Sequence, residues 1–187
     1  MADKTLDRLL GERLRVLREG RALSLGDLAA RSGVSKAMIA RVEKAQSSAT
    51  AALLGRLCAG LGVRLSSVIE VADGPQMRVS RLAEQSVWRD PETGYVRRRI
   101  SPAGALSGIE VVSIELPPGA RVPYQPWAAN AYRQQLLMLE GTLHLRIGAE
   151  SYVLRKGDCI DFDVLRENVF ENKGKAAARY LVIIGRS

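Results

Sequence analysis

The stretch that most constrains this chain runs from Ser24 to Lys44, S-L-G-D-L-A-A-R-S-G-V-S-K-A-M-I-A-R-V-E-K. It reads as a helix, a tight turn at Ser32-Gly33-Val34, and a second helix starting at Ser35. Ser24 and Ser35 are good N-caps, and Asp27 follows Ser24 at the spacing of a capping box. Gly33 can take the left-handed conformation that a short turn between helices needs, and Ala29 is small enough for a close helix crossing. On the second helix Met38, Ile39 and Val42 share one face by i, i+3, i+4 spacing. Lys36, Ala37, Ala40, Arg41 and Lys44 share the other.

The second face is the informative one. Two alanines lie at its centre with three cations around them. Small side chains let a helix backbone enter the major groove of DNA, where base edges carry a distinct donor and acceptor code. Lys36 and Arg41 can reach base edges there, and Lys44 can reach a phosphate. An ordinary bundle helix can also carry a solvated basic face. The small–Gly–apolar–apolar spacing of Ala29, Gly33, Ile39 and Val42, with both caps, favours a helix-turn-helix over that alternative.

On these residues the chain resembles a known family. The segments S-L-G-D-L-A-A-R-S-G-V-S-K-A-M-I-A-R-V-E-K-A-Q-S-S and A-L-L-G-R-L-C-A-G-L-G-V-R-L-S-S-V-I are similar to the helix-turn-helix domain of the XRE (phage-repressor-like) transcription regulators. The likeness covers about Leu6 to Glu70. It implies that the helix beginning at Ser35 is the recognition helix, with Lys36, Ala37, Ala40 and Arg41 reading bases. Arg31, Ser35, Lys44 and the loop residues Gln46, Ser47 and Ser48 would then contact phosphate. Ala49 departs from the family, which usually has proline there; the departure loosens the entry to the next helix and leaves the reading helix untouched.

The rest of the chain agrees with a two-domain, α+β organisation. Leu6, Leu9, Leu10, Leu14 and Leu17 make one apolar stripe, so a first helix covers about residues 5–20, with Arg8, Arg15 and Arg18 pointing elsewhere. Ser48 or Thr50 caps a fourth helix with a stripe of Leu53, Leu54, Leu57, Cys58 and Leu61, and a short fifth spans Ser66 to Glu70. These five helices form an all-α domain over residues 1–70. It holds 12 Lys/Arg against seven Asp/Glu, while the longer remainder holds 16 against 13. The whole chain carries +8, and its more basic part is the one expected to meet a polyanion. A Gly-Pro linker is placed at 71–80.

From residue 81 to 187 the helical period gives way to short runs separated by Pro and Gly, which read as a β-sandwich or barrel. Strands are expected at 107–116, 136–139, 142–147, 152–154, 159–162, 169–170 and 180–184. The run P-P-G-A-R-V-P-Y-Q-P-W, then Q-Q-L-L-M-L-E-G-T-L-H-L and Y-V-L-R-K-G-D-C-I-D-F, resembles the cupins, small jelly-roll barrels. The resemblance puts the family's metal-ligand positions at Gln125, Trp127, Gln134 and Asn168. None is a histidine or carboxylate, and amides and an indole bind divalent metals poorly. No metal or other cofactor is therefore expected, nor cupin enzyme chemistry. These four residues become a candidate pocket for a small polar effector, the alternative being a filled cavity. The chain's single histidine, His144, falls at no ligand position and is read as a packed or solvated strand residue.

Weaker signals are read plainly. Arg97-Arg98-Arg99 is taken as a charged sheet edge, the rival being contact with DNA or with an anionic effector. Asp161, Asp163 and Glu167 lack a partner base, nucleophile or metal and are read as turn or surface residues. Cys58 and Cys159 are read as small core residues. No signal peptide or membrane span is evident, which places the protein in the cytoplasm. The overall expectation is a homodimeric, non-enzymatic regulator on a palindromic double-stranded operator, with no catalytic residues. A cupin that only dimerises, a fused cupin enzyme and a toxin-pair antitoxin are the rivals.

Overall fold

In the computed structural model the described residues are 4–69, 78–102, 107–126 and 133–185. Trp127 and most of the expected linker, through residue 77, lie outside them. The chain divides into two units, one carrying the long helices and the other the strands. This is the two-domain α+β arrangement.

The first unit holds five helices: α1 (Lys4–Glu19), α2 (Leu25–Ser32), α3 (Lys36–Glu43), α4 (Ala51–Leu61) and α5 (Ser66–Ile69). Their ends are written in the sequence. Ser24 accepts from the Asp27 N–H while Asp27 accepts from the Ser24 N–H, a complete capping box. Ser35 caps α3 through Met38 N–H, and Thr50, of the two candidates, caps α4. Gly33 ends α2 at φ 66°, the left-handed region where a side chain is disfavoured. Leu10, Leu14, Leu28, Ile39, Val42, Leu54 and Leu57 make the core, each at most 2% exposed.

The second unit is made of two antiparallel sheets. One has six strands: β1 (Val87–Arg89), β2 (Val96–Arg99), β3 (Glu110–Leu116), β10 (Ala178–Ile184), β5 (Arg133–Glu140) and β8 (Cys159–Asp163), in that order across the sheet. The other has four: β4 (Arg121–Tyr124), β9 (Asn168–Glu171), β6 (Thr142–Ile147) and β7 (Glu150–Arg155). Alternation is regular where a strand is half-buried. In β3 every second residue from Glu110 to Leu116 faces inward, and in β6 Leu143, Leu145 and Ile147 do. Phe170 of the smaller sheet stacks on Tyr180 of the larger, centroids 6.2 Å apart and planes 8° from parallel. Pro123 sits in β4, an edge strand, where its missing N–H costs no central ladder bond.

Three expectations need correction here. Arg97 is not on a solvated edge: β2 is paired on both sides, and Arg97 shares the inward face with Ile114. It is 5% exposed and bonds Glu110 at 2.7 Å. Cys159 is exposed rather than in the core, because the alternation that turns Phe162 inward turns Cys159 and Asp161 out. Arg18 is buried instead of pointing away, since it stands four residues after Leu14 on the apolar line of α1. Cys58 is buried as expected, and His144 lies on the outer side of β6, half-buried.

Candidate functional site

The face of α3 follows from what anchors its opposite side. Ile39 and Val42 are 1% and 2% exposed and hold the helix to the core. Lys36, Ala37, Arg41 and Lys44 are then exposed and Ala40 half-buried, so the backbone between the cations is sterically bare. Arg31, at the end of α2, is also exposed, as is Gln46 in the loop after α3. Ser35 accepts from Met38 N–H, which leaves its O–H proton to donate outward. Ser47 is half-buried. Ser48 is a correction: its hydroxyl donates to Asp7 Oδ2 at 2.6 Å, which removes it from the phosphate-contacting set.

Two features that fix this face were not foreseen. Arg18 forms a two-pronged ion pair with Glu43 at the end of α3, Nε to Oε1 at 2.8 Å and Nη2 to Oε2 at 2.9 Å. Its third prong, Nη1, donates to the Leu23 carbonyl at 2.8 Å. One guanidinium thus ties α1, the loop before α2 and the end of α3 together. The hydrogen bond to Glu43 is the main reason the Arg18 pKa is raised. The second feature is Gly11. A Cβ there would lie 2.4 Å from the Val42 carbonyl oxygen, so α1 and α3 touch backbone to backbone.

The barrel interior is graded from apolar to polar. Register sets Glu110, Ile184 and Gln134 side by side in the larger sheet, and Tyr124, Asn168 and Ile147 in the smaller. Asn168 Nδ2 donates to the Asp163 carbonyl at 3.3 Å and to that of Arg166 at 3.2 Å, which brings these two sheet ends together. Inward polar residues gather at this end. At the other end Leu116 pairs with Ala178, both fully buried. Asn168 is 3% exposed, and its Oδ1 is a buried acceptor with no partner among the described residues. The Tyr95 hydroxyl hydrogen-bonds that of Tyr124, and burial first, then this pairing, pushes the Tyr124 pKa well up.

Of the four expected pocket residues, Gln134 and Asn168 face the interior of this end, Gln125 is exposed, and Trp127 lies outside the described residues. Tyr95, Tyr124 and Glu110 join the first two and had not been singled out, and Arg97 joins them through its ion pair with Glu110. No group of three or more His, Cys, Asp or Glu side chains able to hold a metal occurs among the described residues. The positions that correspond to cupin metal ligands hold neutral amides and an indole, which bind divalent metals poorly compared with imidazole or carboxylate. The three acidic residues are engaged as surface groups. Asp161 pairs with Arg133, Glu167 with Arg146, and Asp163 accepts from Leu165 N–H.

The first unit is a helix-turn-helix with an exposed cationic face on α3, and the second is a jelly-roll barrel. Comparison with known proteins agrees. Residues 9–67 match a family described as a helix-turn-helix domain. Over 181 residues, 97% of each chain, the protein is 28% identical to the HTH-type transcriptional regulator SutR of Escherichia coli (strain K12). The crystal structure of an HTH_3 family transcriptional regulator from Vibrio cholerae aligns with a TM-score of 0.80 at 22% identity, covering 100% of this chain and 99% of that one. Hydroxypropylphosphonic acid epoxidase from S. wedmorenis aligns with a TM-score of 0.50 at 18% identity, covering 97% and 100%, a likeness of fold alone. Residues 9–67 thus form a helix-turn-helix domain, and the relatives support DNA-binding transcription regulation as the role of the chain.

Proposed function

We propose that the protein is a cytoplasmic, homodimeric regulator that binds a palindromic operator through residues 1–70 and senses a small molecule through residues 81–187. The observation that carries the DNA half is the face of α3, where exposed Lys36, Ala37 and Arg41 are held outward by buried Ile39 and Val42. Lys36, Ala37, Ala40 and Arg41 read bases, while Arg31, Ser35, Lys44, Gln46 and Ser47 hold phosphates. One such helix covers few base pairs, so two copies on half-sites about 34 Å apart are needed for useful specificity. Arg41→Ala is expected to cost about 1–3 kcal/mol on the operator and to relax preference at one base pair. Fluorescence anisotropy on an operator and on single-base variants measures both effects. Unchanged affinity and unchanged preference would remove Arg41 from the reading set.

The effector half is supported by Asn168 Oδ1, a buried acceptor awaiting a donor, beside inward Gln134. A buried polar atom left unpaired costs about 1–3 kcal/mol, which a hydrogen-bonding ligand would recover. The ligand is a small polar organic molecule, held by amides and tyrosine hydroxyls without a metal, and the barrel performs no catalysis. Ligand binding alters operator affinity only by favouring one dimer geometry, with coupling typically of about 1–3 kcal/mol. A thermal-shift screen of polar metabolites tests this, since a true ligand raises the melting temperature by mass action. A flat screen would leave the barrel a dimerisation module.

A further inference from the structure

Gly26 is the second residue of α2, and Lys36 is the first of α3. The turn at Gly33 brings the two together. A Cβ placed on Gly26 would stand 2.9 Å from Lys36 Cε and 3.1 Å from its Nζ. The stem of Lys36 therefore lies directly on the bare backbone of α2. Its ammonium ends beside the capping box. Ser24 Oγ stands 3.4 Å from that same Cβ point and donates to Asp27 Oδ2 at 2.6 Å. The Asp27 carboxyl is held below its ordinary value, chiefly by the Ser24 hydroxyl and further by the charges of Arg31 and Lys36. Lys36 stays exposed, with its N–H donors open to a ligand.

We propose that Gly26 is a specificity-determining position: by carrying no side chain it sets the direction from which Lys36 meets its base pair. The proposal deepens the DNA reading above and rests on it. Lysine is a point charge on a flexible four-carbon stem, and most directions of that stem miss any given base edge. Lying on α2 removes many of them before DNA arrives, so less rotamer freedom is lost on binding. A methyl group at position 26 would fill the place of the stem and lift it off α2. The ammonium could then still meet a phosphate, which needs only proximity. A base edge demands a fixed donor geometry and would be met less often. Position 26 thus acts on base preference through Lys36, and a change there alters one base pair rather than all sequences alike.

The clash is also cheap to relieve within the fold. The atoms that would be struck are the far end of an exposed, flexible chain, unlike those at Gly11, where a Cβ would meet a carbonyl oxygen. Alanine moreover favours a helix over glycine. Gly26→Ala is therefore expected to fold at least as well as the wild type, which makes it a clean probe of position without loss of structure.

The test is fluorescence anisotropy of four full-length proteins: wild type, Gly26→Ala, Lys36→Ala and the double variant. Each is titrated with a duplex spanning the protein's own upstream region and with single-base variants of it, and each melting temperature is recorded. Lys36→Ala is expected to relax preference at one base pair by at least about fivefold. Gly26→Ala is expected to relax preference at the same pair by at least about threefold, with an unchanged or raised melting temperature, and to add nothing in the Lys36→Ala background. A Gly26→Ala protein that keeps the preference Lys36→Ala loses would overturn the proposal and leave Lys36 a base reader. An effect of Gly26→Ala that persists without Lys36, or a lowered melting temperature, would overturn it as well. Unchanged preference of Lys36→Ala at every base pair would overturn both the proposal and the place of Lys36 in the reading set.

Discussion

At the scale of single residues, Arg18 decides more than its charge suggests. It is 9% exposed, and Glu43, its partner, has a side chain 7% exposed. Removing one member of such a pair strands a charge out of water, whereas replacing both with apolar groups is often neutral. Arg18→Met is therefore expected to cost about 3 kcal/mol in urea unfolding, and Arg18→Met with Glu43→Leu to recover most of it. If the single and double variants are equally destabilised, the pair is not what holds the end of α3. Arg18 was legible only in retrospect. A cation four residues after Leu14 sits on an apolar line, and the composition of α1 hides it among solvated arginines. Arg97 misled for a related reason: three consecutive arginines look solvated, and only pairing with Glu110, 13 residues away, makes burial of one of them tolerable.

At the scale of elements, the caps and the turn at Gly33 were readable because they are local: each is satisfied within four residues. The apolar faces of α3 and α4 were readable from period alone. Gly11 was not, because what it meets lies on another helix. Gly→Ala inside an exposed helix normally stabilises by about 1 kcal/mol. Here the added Cβ would press on the Val42 and Glu43 carbonyls, at 2.4 and 2.9 Å, so the sign reverses. Gly11→Ala is expected to lose about 1–3 kcal/mol of stability, as overpacking does, and to weaken operator binding by shifting α3. A denaturant melt showing stabilisation would mean the two helices are not in backbone contact. The strands β1 and β4 escaped the sequence reading because they are short, and β4 carries Pro123. Of the four candidate pocket residues, which came from the cupin resemblance, Gln134 and Asn168 face the barrel interior. Tyr95 was not legible, since its contact with Tyr124 joins strands that no local pattern connects.

At the scale of the molecule, the barrel stores an alkaline limit. Burial raises the pKa of Tyr95 and drives those of Tyr124 and Tyr180 well above the usual tyrosine value near 10. Tyr124 is partly exposed along an edge strand, but its hydroxyl is the end held against Tyr95. Because the folded values exceed the unfolded one, the stability these groups contribute is complete below about pH 10 and declines as pH rises above it. Three such hydroxyls would remove up to about 4 kcal/mol per pH unit beyond that point. Melting followed from pH 8 to 11.5 should stay flat and then fall steeply, with tyrosinate absorbance rising at the same step. Full tyrosine ionisation with the barrel still folded would show these hydroxyls to be in contact with water.

The whole account rests on the bare face of α3, and binding of the full-length protein to a duplex spanning its own upstream region addresses that face most directly. Wild type and Ala37→Glu should be titrated at low salt. The wild type is expected to bind with an affinity that falls steeply as salt is raised. Ala37→Glu, which sets a carboxylate between the cations and in front of the phosphates, should bind at least about 100-fold more weakly with an unchanged melting temperature. Equal binding by the two proteins, or none by the wild type, would contradict the assignment of that face to DNA.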